Sequence, residues 1–340
     1  MKNRILLFSI LFILMFSSCS KNDLPKDDDN QINNKTAMVV GYLPYYRFAL
    51  SDKIEYCKLT HLNLAFANPD SSGNIMMESI TKVVADARNV NPNIVICISL
   101  AGGALTDEQT INWSDLIDIP ANRPAFIDKI VDYVLDNDLD GVDVDLEWNH
   151  VTSGYSDFVI ELNAALDIHN KLITAAFPQT RYANVNDAAL QVFDFINIMS
   201  YDVTGPWLPA FSGQHSSLNF SKEGIGFWNN IVGISAEKLT LGVPFYGYNF
   251  VNSTTVTSVT YNQMVRDNVN NANLDRVGNT FYNGIPTIKS KVNLAYDREI
   301  GGIMIWELGQ DSFDDYSLLK TIHDEYTALG VETSGLCGNN

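Results

Sequence analysis

Eight short apolar runs recur between residues 37 and 308, and they restrict the fold more than any other feature of the chain. They lie at 37–43, 61–67, 93–100, 141–147, 172–178, 195–202, 239–246 and 302–308, and most are rich in Val, Ile and Leu. Runs of this length and composition suit strands covered on both faces, as in a parallel sheet flanked by helices. Helical patterns fall between them, most clearly at 123–137, 154–169, 221–232, 285–296 and 317–329. Eight strands with intervening helices in one chain is the count of a (β/α)8 TIM barrel. A doubly wound open sheet is the competitor. The polar residues at the carboxyl ends of the runs favour the barrel, whose functional face lies there. The longest break in the rhythm, 249–284, reads as an elaborated loop after strand seven, with a short helix around TYNQMVRDN.

The fourth run, DGVDVDLEW at 140–148, carries the most chemistry. As a strand it puts Asp143, Asp145 and Glu147 on one face and Val142, Val144 and Leu146 on the other. Three carboxylates in a row repel one another unless protons are shared, which raises carboxyl pKa values and suits acid–base work. Trp148, at the end of the strand, suits a platform for a sugar ring. A strand with its acids in water is the plainer alternative. A Mg²⁺ or Ca²⁺ site is another, but no further acidic or His cluster stands out to complete a shell, so no metal and no cofactor is expected. His150 and His215 read as loop residues, since no Ser or Cys nucleophile motif accompanies them, and His61 reads as a structural strand residue.

Length and charge bound the rest. The chain has 340 residues and a formal net charge of −18. That balance disfavours nucleic acid and anionic surfaces and fits a neutral or cationic ligand. Lys2 and Arg4 precede an apolar run at 5–16 that ends FSSC, so residues 1–18 read as a signal peptide of the lipoprotein type. The run resembles a bacterial lipobox, with Phe16 in place of the usual aliphatic residue. The resemblance implies cleavage before Cys19, lipidation of its thiol, and a membrane held through that anchor at the bacterial outer membrane. Residues 19–36 are polar and aperiodic and read as a flexible tether, 37–330 as the barrel domain and 331–340 as a tail. Cys57, Cys97 and Cys337 remain, an odd number of widely spaced thiols that suggests no disulfide framework; Cys57 and Cys337 could pair, but nothing in the sequence supports it. A monomer is expected.

Several motifs together resemble the glycoside hydrolase family 18 chitinases. Asp140, Asp143, Asp145 and Glu147 meet the DxxDxDxE motif, and MSYD at 199–202 meets MxYD on strand six. Trp306 stands where the family has its strand-eight tryptophan. GVPFYG at 242–247, THLNLAFA with Phe66, and GYLPYY from Gly41 match strands seven, two and one. Two departures stand out. Ser99 is separated from Gly102 and Gly103 by one residue more than in the usual SxGG, and Tyr248 replaces the Arg that commonly follows YG.

The resemblance implies a retaining hydrolase of β-1,4-linked N-acetylglucosamine that uses the substrate's own N-acetyl group. Glu147 is then the acid, and Asp145 holds the acetamido N–H or turns toward Asp143. Tyr201 donates to the acetamido carbonyl. Asp140 supports the strand's base. Asp202 and Met199 of MxYD, Trp306 as the floor of the −1 sugar, and Tyr42, Phe66, Trp207 and Tyr246 are the candidate substrate contacts. Non-proline cis peptides are expected at Ala65–Phe66, Glu147–Trp148 and Trp306–Glu307. Two neighbouring readings keep the barrel: an endo-β-N-acetylglucosaminidase cutting the chitobiose core of N-glycans, and a sugar-binding protein without turnover. The presence of Glu147 and its two aspartates argues against the last.

Overall fold

The computed structural model describes residues 35–333 and Cys337, so Cys19 lies outside the described residues. Eight parallel strands form the barrel: β1 (Met38–Pro44), β2 (His61–Pro69), β3 (Val95–Gly102), β4 (Gly141–Leu146), β5 (Leu172–Phe177), β6 (Phe195–Ile198), β7 (Leu239–Pro244) and β8 (Gly302–Trp306). Each strand pairs with its sequence neighbours, and β1 pairs with both β2 and β8, which closes the sheet. The helices are α1 (Thr81–Val90), α2 (Asp107–Ile117), α3 (Arg123–Asp136), α4 (Tyr155–Asp167), α5 (Asp187–Val192), α6 (Leu218–Gly226), α7 (Tyr261–Asp267), α8 (Ile285–Asp297) and α9 (Leu318–Ala328).

Strand alternation divides the interior into two cores. Val142, Val144 and Leu146 are fully buried in one large cluster with Phe126 and Ile130 of α3 and Phe158 and Leu162 of α4. Burying side chains of this size is worth about 1.5–3 kcal/mol each relative to exposure. A one-residue slip of β4 would exchange these three for Asp143, Asp145 and Glu147, so the register is strongly set. The opposite faces of the strands fill the lumen with a smaller cluster of Val40, Tyr42, Ala65, Ala176, Phe195, Met199 and Met304.

Three local readings change. The helical pattern at 221–232 divides at Gly226, where α6 gives way to a π-helical turn, Phe227–Val232, closed by Gly233 at φ 86°. The strand expected at 239–246 stops at Pro244. Tyr246–Asn252 instead opens a four-stranded antiparallel sheet with Thr255–Thr260, Arg276–Val277 and Thr280–Phe281, so the elaborated loop after β7 has a sheet of its own beside α7. Tyr246 and Tyr248, two apart on that first strand, share a face. At the base of the barrel Lys35 and Thr36, expected in the tether, pair in parallel with Val331 and Glu332, expected in the tail.

No disulfide framework is suggested by the sequence, which leaves a Cys57–Cys337 pair open but unsupported; the structure forms that pair. Cys57 and Cys337 are bonded across 280 residues of sequence, with Cα atoms 5.5 Å apart. Two thiols that far apart leave no spacing pattern to read. A cross-link spanning so long a loop restricts the unfolded chain, and such bonds typically stabilise by about 2–4 kcal/mol. Cys337→Ser is therefore expected to lower the melting temperature in a calorimetric scan. Reduction of the wild type should lower it equally and leave the variant unchanged. Cys97 is buried in the lumen wall, as its apolar surroundings predict.

Candidate active site

The carboxyl end of β4 delivers three acids to three different environments. Asp143 is fully buried, and both its oxygens are occupied. Tyr42 Oη and Ser99 Oγ donate to Oδ2 at 2.8 and 2.7 Å; Thr174 Oγ1 and Asn197 Nδ2 donate to Oδ1 at 2.7 and 3.3 Å. These donors come from β1, β3, β5 and β6, so Asp143 fastens half the barrel to β4. Burial pushes its pKa up, and the four donors pull against that.

Asp145 is only 3% exposed, and among the described residues its Oδ1 has no hydrogen-bond partner. Burial first, then the neighbouring charges of Glu147 and Asp143, raise its pKa well above the carboxylate range. A buried carboxyl oxygen without a partner costs stability, and a ligand N–H would relieve it. Glu147 follows at the lip of the barrel, where burial and then the charge of Asp202 push its pKa up to about 7. The three carboxyls are close enough to titrate as a set.

The backbone around the glycines after Ser99 is irregular on the side that faces β2. On β2 two residues, Phe66 and Ala67, occupy the space of one on β3, so the pairing shifts between Ala65 and Ala67. Ala101 and Gly102 both take positive φ, 76° and 83°. The chain then passes under Phe66 and against Glu147. A Cβ on Gly103 would lie 2.4 Å from Glu147 Oε1, so only glycine leaves room for the carboxyl there.

Aromatic rings surround the acids. Trp306 stacks on Phe66 at 5.3 Å and meets Tyr42 edge-on at 5.7 Å. Among the described residues Tyr201 Oη has one partner, a weak contact to Met304 Sδ at 3.9 Å. Burial, then the charges of Asp145 and Asp202, hold that hydroxyl protonated. Trp148 is 61% exposed and takes φ 54°. Its ring stands edge-on to Tyr182, whose buried hydroxyl has no partner among the described residues. Trp207 is 53% exposed and packs edge-on against Tyr248.

The predicted residues divide by depth. Glu147, Asp145, Tyr201, Asp202, Phe66 and Trp306 gather at the carboxyl end of the barrel, where Trp207 stands exposed on the loop after β6. Tyr42, expected as a substrate contact, is 1% exposed in the lumen, with its hydroxyl given to Asp143 and receiving from Asn197 Nδ2. Met199 is likewise buried in the lumen cluster. Tyr246 turns its hydroxyl to Asp202 Oδ1 at 2.6 Å. Asp140 accepts from Ile96 N at 2.8 Å and from Arg88 Nη2 at 3.3 Å, which ties the start of β4 to β3 and α1. Of the three expected cis peptides, Ala65–Phe66 and Trp306–Glu307 are cis. Glu147–Trp148 is not, and the chain turns there through the positive φ of Trp148 instead. Among the described residues no group of three His, Cys, Asp or Glu is arranged to hold a metal ion.

His215, a loop residue by sequence, has a part in the site. It is fully buried, with Nδ1 3.1 Å from Asp202 Oδ1. Nothing in the spacing of the two residues signals that contact; only the path of the loop after β6 makes it.

Known proteins share this barrel. The GH18 chitinase ChiB from the chitin utilization locus of Flavobacterium johnsoniae is 56% identical, with a TM-score of 0.87 over 90% of this chain and 98% of that one. A chitinase from Bacteroides thetaiotaomicron is 29% identical, with a TM-score of 0.76 over 86% and 96% of the two chains. A chitinase-like effector of Moniliophthora roreri is 29% identical over 252 residues, and the match spans 60% of that relative's length. The model of the Glycosyl hydrolases family 18 matches residues 38–311, from the first barrel strand through the loop beyond the last. With Asp140, Asp143, Asp145 and Glu147, the Tyr201–Asp202 pair and Trp306 all inside that span, the chain belongs to glycosyl hydrolases family 18.

Proposed function

We propose that the protein hydrolyses β-1,4-linked N-acetylglucosamine chains with retention, through the substrate's own acetamido group. The observation that carries this reading is a pair of unsatisfied polar groups beside one acid. Asp145 offers a buried oxygen with no partner, and Tyr201 offers a hydroxyl with no oxygen or nitrogen partner. An acetamido group supplies what each lacks: an N–H for Asp145 and a carbonyl oxygen for Tyr201. Trp306 and Phe66 give the sugar ring an apolar surface. The relative from Flavobacterium johnsoniae, described as a chitinase of a chitin utilization locus, supports the same substrate class.

The chemistry then runs in two steps. Glu147 gives its proton to the glycosidic oxygen as the bond to the anomeric carbon breaks. The carbonyl oxygen of the −1 acetamido group, aligned by Tyr201, closes on that carbon to form an oxazolinium ion. Asp145 accepts the acetamido N–H and stabilises the positive charge. Glu147, now a carboxylate, removes a proton from water as the water oxygen attacks the same carbon, which reopens the ring and regenerates the acid.

The acid must be protonated to start. With its pKa at about 7, activity is expected to fall as pH rises through that region. Asp202→Asn removes the charge that helps hold the proton on Glu147, so the alkaline limb of kcat/KM against pH should move to lower pH. A limb that stays in place would disconnect Asp202 from the acid.

Parallel digests test the substrate, with Glu147→Gln beside wild type on a chitin oligosaccharide and on a high-mannose glycopeptide. Cleavage of the oligosaccharide, lost in the variant, supports the chitinase reading. Cleavage of the glycopeptide alone assigns the protein to release of N-glycans at the chitobiose core. Binding without cleavage of either leaves a sugar-binding protein. We propose also that Cys19 carries a lipid that holds the protein on the outer membrane. Cys19→Ser should then move the expressed protein from the membrane to the soluble fraction, and an unchanged distribution would count against the anchor.

A further inference from the structure

Asp202 is held from one side only. Tyr246 Oη at 2.6 Å, Tyr248 Oη at 3.1 Å and His215 Nδ1 at 3.1 Å all meet the same oxygen, Oδ1. Among the described residues Oδ2 has no hydrogen-bond partner, and the side chain is one-third exposed. Asp202 also takes φ 67°, a conformation that a residue other than glycine keeps only when its surroundings fix it. His215 supplies much of that fixing. Its carbonyl accepts from Val203 N at 3.2 Å, and its Nδ1 lies 3.4 Å from Asp202 N. The ring is clasped between Tyr246 and Tyr248, with centroids 5.0 and 4.9 Å away, and Nε2 lies 3.3 Å from Tyr246 O.

The support for His215 is itself rigid. Ser216, the next residue, donates from Oγ to Ser200 O at 2.6 Å and receives Lys291 Nζ of α8 at 2.6 Å. Asn283 Nδ2 donates to Ser216 O at 3.0 Å. The ionisable groups around His215 are therefore Asp202 from the end of β6, Tyr246 and Tyr248 from the insertion sheet, and Lys291 behind Ser216. Asp202 makes no contact with a Lys or Arg among the described residues. The position after YG, filled by Tyr248, supplies a phenol.

We propose that His215 is a positioning residue which, with Tyr248, locks Oδ1 of Asp202 and turns Oδ2 into the cleft as an acceptor for a hydroxyl or N–H of the sugar beside Glu147. The inference rests on the hydrolase reading for its kinetic consequence but not for its geometry. Asparagine can place its Nδ2 near the position of the imidazole Nδ1, whereas alanine leaves a hole.

The test compares His215→Ala, His215→Asn and Tyr248→Phe with wild type on a chromogenic chitin oligosaccharide, with melting temperatures measured beside the kinetics. His215→Ala is expected to lower kcat/KM by about 10- to 100-fold, the effect of misplacing a contact group by roughly an ångström. His215→Asn should recover most of that loss, and Tyr248→Phe, which removes one hydroxyl, should raise KM with little change in melting temperature. Equal losses in the alanine and asparagine variants, or an unchanged KM in Tyr248→Phe, would overturn the proposal. A crystal structure of His215→Ala, or of Tyr248→Phe where the first does not fold, reads the geometry without any turnover. Asp202 with Oδ1 and φ unmoved would overturn the clamp, whereas a displaced Asp202 in a protein whose wild type cleaves no N-acetylglucosamine chain would uphold the clamp and refute the hydrolase reading.

Discussion

Replacing Glu147 by Gln should lower kcat on chitin oligosaccharides by about 10²- to 10⁴-fold, the usual contribution of a positioned general acid. Glutamine keeps the shape that fits against Gly103, where a Cβ would fall 2.4 Å from the carboxyl, so the fold and the bound sugar should be retained. It has no proton to give to a leaving oxygen at any working pH. Measured side by side, turnover should collapse while the dissociation constant for a chitin tetrasaccharide stays within a few-fold of wild type. Residual activity near wild type would remove Glu147 from the acid role and with it the whole reading of β4.

Asp145→Asn should cost about 10²- to 10³-fold in kcat, with KM little changed, which is the range for losing one preorganised group at a developing charge. The amide has the volume of the carboxyl and sits as deep, but it carries no negative charge to set against an oxazolinium ion. A loss appearing only in KM would mean that Asp145 binds the ground state and does nothing more. The two variants differ in one further respect: a substrate with an activated leaving group needs less help from Glu147 and should partly rescue Glu147→Gln, but not Asp145→Asn.

Much of this site could be read before any coordinates because it is written along one strand. Asp143, Asp145 and Glu147 are two apart, so the period of β4 alone brings them together. The barrel was legible for a similar reason: each of its eight strands is a run buried on one face by helices and on the other by the lumen. What escaped was tertiary. His215 reaches Asp202 only through the path of the loop after β6. Tyr42 looked like a cleft aromatic and lies beneath the cleft, since residues near the carboxyl ends of strands can point either up or inward. The end of β7 was misread because PFYG continues the apolar run, while the chain leaves the barrel at Pro244 and starts a second sheet at Tyr246. The Cys57–Cys337 bond has no local signature at all.

That bond and the pairing of Lys35–Thr36 with Val331–Glu332 have a consequence for orientation. Both ends of the described chain are fastened where the barrel strands begin, and Glu147, Trp148 and Trp306 lie where the strands finish. Attachment at either of these paired segments is therefore attachment at the face opposite the acids. Chains of an insoluble polymer could approach from the free side without passing the attachment, so coupling through either terminus should leave turnover intact, whereas coupling through the loop that carries Trp207 should not.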